Sequence, residues 1–220
     1  MINFKLNDTD YSLPESVIAD LFHVVYYNSR VWERTTWFGQ QILKNPFDMW
    51  LYQELIFKLK PEFIVESGTF RGGSALFYAH LFDLLGHGTI ITIDIEEQKN
   101  RPQHPRIHYL RGSSIDPAIK ERVLEITGAA VPLVILDADH SEAHVSKEIE
   151  TWAPHVQVGG FLIVEDSNIN GHPVRPDFGP GPYEAIATFL NNNKNFEHDT
   201  SFDKFFMTQN PRGWLRRLSL

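Results

Sequence analysis

Short apolar runs alternate with stretches of helical periodicity along most of this chain, and the alternation predicts an α/β fold. Residues 63–65, Thr89–Asp94, 107–110, Val131–Leu136 and 161–164 read as strands, and the apolar runs at 63–65, Val131–Leu136 and 161–164 suit a parallel sheet covered on both faces. Helices are expected between them, at 75–85 with Gly86 as a left-handed cap, after Asp116-Pro117, and at 141–152. A further helix is expected over Pro46–Leu59, stopped by Pro61, and a last one from about Pro182 to Asn193. Together these elements describe a doubly wound, mostly parallel sheet. Strand-like pieces around Phe196 and over 205–209 are expected to finish it as an antiparallel edge pair, and Gly159-Gly160 reads as a turn.

Ahead of this core the pattern changes. Ser12-Leu13-Pro14-Glu15 has the form of a capping box, and Val17, Ile18, Leu21, Phe22 and Val25 follow at helical spacing. Residues 32–45 are irregular and rich in aromatic and polar side chains, including Trp37, Gln40, Gln41 and Lys44, as expected of a lid or an oligomer contact. The chain shows no internal repeat, linker or low-complexity tract.

The chemistry gathers where the strands end. Residues 63–74 read F-I-V-E-S-G-T-F-R-G-G-S, a strand running into Gly68, Thr69, Gly72, Gly73 and then Ser74 at the start of a helix. Glycines there let backbone amides approach a ligand, and the helix start offers free N–H groups. The G-x-G-x-x-G spacing of dinucleotide sites is absent, since Glu66 stands two before Gly68 and the next glycine is Gly72, which weakens a nicotinamide oxidoreductase reading. An acid at this place suits a ligand presenting an ammonium group or hydroxyls, as S-adenosylmethionine does. Asp94 ends the second strand, where a ribose is normally held, and Ser113 and Ser114 follow the third, suited to an adenine edge or to ordinary caps. Asp137, Asp139 and His140 follow the fourth strand, and Glu165 and Asp166 the fifth. In an open parallel sheet that edge is where ligands bind, so one crevice is expected to collect these groups beneath the loop 167–181.

Composition narrows the partners. With 220 residues and 42% hydrophobic content the chain can bury one substantial core. A net charge of −8 argues against general nucleic-acid binding, although Arg212, Arg216 and Arg217 form a small basic group. There is no cysteine, so disulfides and thiolate metal sites are excluded and a cytoplasmic setting is expected. No apolar run is long enough to span a bilayer, so no membrane partner is expected.

The set V-E-S-G-T-F-R-G-G-S, D-L-L-G-H-G, D-A-D-H-S-E-A-H-V and V-E-D-S-N-I-N-G-H-P-V, spread over residues 32–174, resembles the cephalosporin hydroxylase and rhamnosyl O-methyltransferase family. The resemblance implies a Rossmann-like class I methyltransferase fold over 1–220, with 1–45 as a helical, lid-like extension. It further implies S-adenosylmethionine and Mg2+ as cofactors and a hydroxyl of a sugar or small natural product as substrate, with a non-catalytic partner subunit as the rival reading. A homo-oligomer is expected. By the same resemblance Glu66, Gly68 and Ser74, with Thr69 and Gly72 of the same turn, hold the methionine part. Asp94 holds the ribose, and Ser113 and Ser114 lie on the adenine side. The metal falls to Asp137, Glu165 and Asp166, with Asp139 as the rival of Asp137, which also borders the cofactor. Where catechol-type relatives carry a lysine three residues after the metal aspartate this chain has His140, the first candidate base, with His172 the second.

Overall fold

The computed structural model describes residues 1–128 and 131–220. In chain order the elements are β1 (Ile2–Leu6), β2 (Thr9–Leu13), α1 (Glu15–Asn28), β3 (Thr36–Trp37), β4 (Gln40–Gln41), α2 (Pro46–Leu59), β5 (Phe63–Ser67) and α3 (Gly73–Leu85). They continue with β6 (Thr89–Asp94), β7 (Ile107–Arg111), α4 (Pro117–Thr127), β8 (Val131–Leu136), α5 (Glu142–Trp152), β9 (Val156–Val164), α6 (Pro182–Asn192), β10 (Phe196–His198) and β11 (Trp214–Arg217).

Seven strands form one sheet in the order β10-β11-β9-β8-β5-β6-β7. β7, β6, β5, β8 and β9 run parallel, and β11 is antiparallel to both β9 and β10. From β5 the chain winds outward to β6 and β7, then crosses back to β8 on the other side. The switch point therefore lies between β5 and β8, where an open sheet splays to admit a ligand.

Strand residues alternate between two buried faces. Ile64, Ile90, Leu133, Ile135 and Ile163 pack with Leu51, Tyr52 and Leu55 of α2 and Phe77, Tyr78 and Phe82 of α3. Val65, Ile91, Val134, Leu162 and Val164 pack with Val145, Ile149 and Trp152 of α5 and with Ala185 and Ile186 of α6. Burial on both faces explains why the central strands read as continuous apolar runs. α2 begins where Asn45 Oδ1 accepts from the Phe47 amide and Pro46 occupies the first turn, and α3 ends on Gly86 at φ +80°.

Four expectations are corrected. Ser12 does not cap α1, because it lies in β2 opposite Asn3, and Pro14 precedes the helix with no side-chain cap. The hairpin β1–β2 was not foreseen; it turns through Asn7 and Asp8, both at positive φ, as a two-residue hairpin loop requires. Gly159-Gly160 does not end a strand. It lies within β9 at a bulge opposite Pro132, where a Cβ on Gly160 would sit 2.5 Å from the Pro132 carbonyl oxygen. Residues 205–209 form no strand, since Phe206 has φ +62° and the Gln209 amide donates to Asp48; β11 at Trp214–Arg217 takes that place in the sheet. Of the arginines near the end, Arg216 is exposed, Arg217 donates to the carbonyls of Ala153, Pro154 and Val156, and Arg212 lies over the Tyr183 ring. Among the described residues no helix is long and apolar enough to cross a membrane.

Candidate active site

A cavity of about 780 Å3 opens at the C-terminal ends of β5, β6 and β8, the edge that the switch point predisposes to binding. Its floor begins with the turn after β5. Gly68 has φ +83°, and a Cβ there would lie 1.8 Å from the Asp137 carbonyl oxygen, so only glycine lets the ends of β5 and β8 meet. Thr69 and Ser74 line the cavity, whereas Gly72, at φ +76°, caps α3 from behind.

Glu66 lies beneath this floor, fully buried and outside the cavity lining. The Thr92 hydroxyl donates to its Oε2 at 2.7 Å, Thr69 meets Thr92 at 2.6 Å, and Oε1 has no partner. Burial pushes this carboxyl up to about 7. Its reach toward a ligand therefore runs through Thr92 to Thr69 and through the neighbouring Ser74.

Asp94 reaches the cavity from the end of β6. Oδ2 accepts from the Phe70 amide at 2.8 Å and from Arg101 at 2.7 Å, while among the described residues Oδ1 accepts only from the Glu96 amide at 2.9 Å. At the far end Ser113 and Ser114 line the wall. The Ser114 hydroxyl donates to buried Glu148 at 2.5 Å, and His144, unmarked in the sequence reading, lines the cavity 3.8 Å from the same oxygen.

The acids after β8 and β9 divide into two groups. Asp137, His140 and Asp166 each place a ligand atom within 4.8 Å of the others, and His140 Nε2 lies 3.2 Å from Asp166 Oδ2. Glu165 turns inward instead, accepting from the Tyr52 hydroxyl at 2.5 Å and from Lys44. The Lys44 ammonium also donates to Asp137 at 2.5 Å, so one buried cation links the groups. Asp139 borders the cavity but turns to the Ser141 amide at 2.8 Å, in the loop that caps α5. His172 does not join them: it bonds Glu184 at 3.0 Å and stacks on Tyr183 at 3.6 Å, outside the cavity lining.

Burial raises the carboxyls of Asp137, Glu165 and Asp166, although Asp137 and Asp166 keep 21% and 32% of their side-chain surface exposed. Burial alone would lower Lys44, yet Asp137 and Glu165 outweigh it and hold the ammonium well above the ordinary lysine range. Three carboxylates facing one lysine and one histidine leave an excess of negative charge. Oxygen donors from two loops, an excess of negative charge and an open side together fit a hard divalent cation.

Lys44 was legible only as part of an irregular stretch, and nothing in its neighbours marks it as the counter-ion of residues about a hundred positions away. Nothing in the local sequence marks Tyr27, Trp32 or Arg175 either, yet all three line the cavity, the Tyr27 and Trp32 rings stacking at 5.4 Å.

Comparison with known proteins places this geometry in context. Residues 29–218 match the rhamnosyl O-methyltransferase/CmcI family. A rhamnosyl O-methyltransferase of Mycobacterium tuberculosis (strain ATCC 25618 / H37Rv) is 39% identical over 212 residues, 93% of this chain and 86% of that protein. Its counterpart from Mycobacterium leprae (strain TN) is 39% identical over 199 residues, 88% of this chain and 87% of that one. Among solved structures, CmcI with Mg and SAM superposes with a TM-score of 0.65 at 22% identity, over 85% of this chain and 78% of that one, a likeness of fold.

Proposed function

The chain belongs to the rhamnosyl O-methyltransferase/CmcI family, and we propose that it methylates a hydroxyl of a sugar or sugar-bearing natural product, using S-adenosylmethionine and a magnesium ion. The observation that carries this reading is the convergence of Asp137, His140 and Asp166 in the same cavity as Gly68 and Asp94.

In this reading Asp137 and Asp166 hold the metal, with Glu165 one contact behind through Lys44. Magnesium bound there would supply Lewis-acid polarisation of the substrate oxygen and lower the barrier to its deprotonation. Asp94 Oδ1, with a single partner among the described residues, is left to accept from a ribose hydroxyl, and Thr69 and Ser74 on the cavity lining would border the methionine end. His140 Nε2, beside Asp166, receives the hydroxyl proton as the oxygen takes the methyl group and the sulfonium becomes a neutral thioether. Tyr27 and Trp32 form the apolar wall against which the carbon face of a sugar ring packs, and Arg175 supplies donors for its hydroxyls.

Calorimetry with S-adenosylhomocysteine and with NADH, on the parent and on Asp94→Ala, tests the cofactor. Tight binding of S-adenosylhomocysteine alone, weakened by the substitution, is expected; preference for NADH would refute the reading. Methyl transfer to a rhamnosyl acceptor should stop on rigorous chelation and return with magnesium, and full transfer after chelation would refute the metal assignment.

A further inference from the structure

The turn that forms the cavity floor carries a backbone conformation that its sequence does not favour. Phe70 has φ +46°, in the left-handed region where a bulky aromatic residue is out of place, between Gly68 and Gly72, which adopt positive φ freely. Such a residue persists only where its surroundings fix it. The surroundings here are explicit. The Phe70 amide donates to Asp94 Oδ2 at 2.8 Å, and its carbonyl accepts from Arg101 Nε at 2.8 Å. The same guanidinium donates through Nη2 to Asp94 Oδ2 at 2.7 Å, closing a ring of three hydrogen bonds around the Phe70 backbone.

Arg101 does not line the cavity, and its side chain is only 8% exposed. It lies over the Tyr109 ring, whose hydroxyl donates to the Pro102 carbonyl, and Pro102 and Tyr109 in turn back Gly72, where a Cβ would come within 3.0 Å of Pro102. The segment carrying Arg101 thus braces the turn from behind. Asp94 Oδ1 is left with one partner, so the brace fills the oxygen that faces Phe70 and leaves the other for a ligand.

The geometry assigns Arg101 as a positioning residue for the adenosine cofactor: its planar fork ties the Phe70 carbonyl to the Asp94 carboxylate, holding the glycine turn and the ribose-binding acid in one prearranged cradle. The assignment rests on the cofactor reading given above. A lysine cannot take its place, since one ammonium on a flexible stem does not present two fixed, divergent donors.

The test is calorimetric titration of S-adenosylhomocysteine into the parent, Arg101→Met, Arg101→Lys, Phe70→Asn and the Phe70→Asn/Arg101→Met double variant, with thermal melts as a check on folding. Arg101→Met is expected to weaken binding about 10- to 100-fold, the size of one relaxed backbone strain. The loss should appear in KM for S-adenosylmethionine and leave kcat, reached at saturating cofactor, within about twofold. Asparagine tolerates the left-handed region, so Arg101→Met should cost at least about threefold less affinity in the Phe70→Asn background. Arg101→Lys keeps the charge and loses the fork, so it should weaken binding at least about fivefold, and it decides the matter if the methionine variant does not fold. Parental affinity in Arg101→Met or Arg101→Lys, or an undiminished penalty beside Phe70→Asn, would overturn the assignment alone. A parent that does not bind S-adenosylhomocysteine would overturn the cofactor reading and this assignment together.

Discussion

Asp48 offers a quantitative check on how the start of α2 is held against the segment at Gln209, which borders the cavity. The residue lies in the first turn of α2, is 2% exposed, and receives the Gln209 amide at Oδ2 at 2.8 Å. Oδ1 has no hydrogen-bond partner among the described residues, and burial, opposed by the nearby Thr208 hydroxyl and the Gln209 amide, pushes the carboxyl from its ordinary 3.8 up to about 7. The folded protein therefore binds a proton here that the unfolded chain releases near pH 4, so stability falls as pH rises between about 4 and 7 and the cost is complete above 7. A displacement from 3.8 to about 7 corresponds to about 4 kcal/mol. Asp48→Asn keeps an acceptor for the Gln209 amide and removes the charge. The variant should exceed the parent by about 1 kcal/mol at pH 4.5 and by as much as about 4 kcal/mol at pH 8, or about 10 °C in Tm for a chain of this size. Urea denaturation of both proteins across pH 4.5 to 8, at constant ionic strength and with chelator present, measures the difference. Glu66, Glu165 and Lys44 titrate in both proteins and cancel to first order. A stability difference independent of pH would refute the reasoning, since it would mean that the folded state holds the Asp48 charge at no cost.

Three further outcomes follow from the site. His140→Ala should lower turnover by about two to four powers of ten and leave S-adenosylhomocysteine affinity unchanged; parental turnover would remove His140 as the base. Lys44→Met leaves Asp137 and Glu165 buried without their cation and should destabilise the fold by about 3–5 kcal/mol at pH 8. Part of that loss should return at lower pH as the carboxyls protonate, so a pH-independent loss in urea titrations would count against the charge argument. Gly68→Ala drives a Cβ into the Asp137 carbonyl and should cost about 3 kcal/mol or more, read as a fall in Tm; a parental Tm would show that the two strand ends separate freely.

The parallel core was legible because burial on both faces leaves a strong mark: residues 63–65, Val131–Leu136 and 161–164 are apolar without interruption, and helix stops such as Gly86 and Pro61 are local chemistry. The edge of the fold was less legible for physical reasons. Trp214 and Leu215 are fully buried, but two arginines follow them, so β11 shows neither alternation nor an apolar run. The first hairpin carried a readable signal, alternating Ile2, Phe4 and Leu6 before Asn7-Asp8, and the helix-like spacing of the next segment obscured it. The acids of the site were visible as strand ends, but their division was not. Sequence spacing cannot tell that Glu165 turns to Tyr52 and Lys44 while Asp166, its neighbour, turns to His140.

That division has a physical logic. Adjacent residues leaving a strand point to opposite sides, so Glu165 and Asp166 could not both enter the cavity in regular extended backbone. Asp166 adopts φ +53°, which breaks the alternation, and its amide is held by Asn210 Oδ1 at 3.1 Å. One carboxylate of the pair is thus committed to the buried lysine and the other to the open side. The cost of gathering three acids is partly met inside the protein, by Lys44, and the remaining charge faces the cavity where a dication can reach it. Replacing Glu165 should therefore act first on stability, through the stranded Lys44 ammonium, whereas replacing Asp166 should act first on metal affinity. Their neighbouring positions in sequence conceal two different roles.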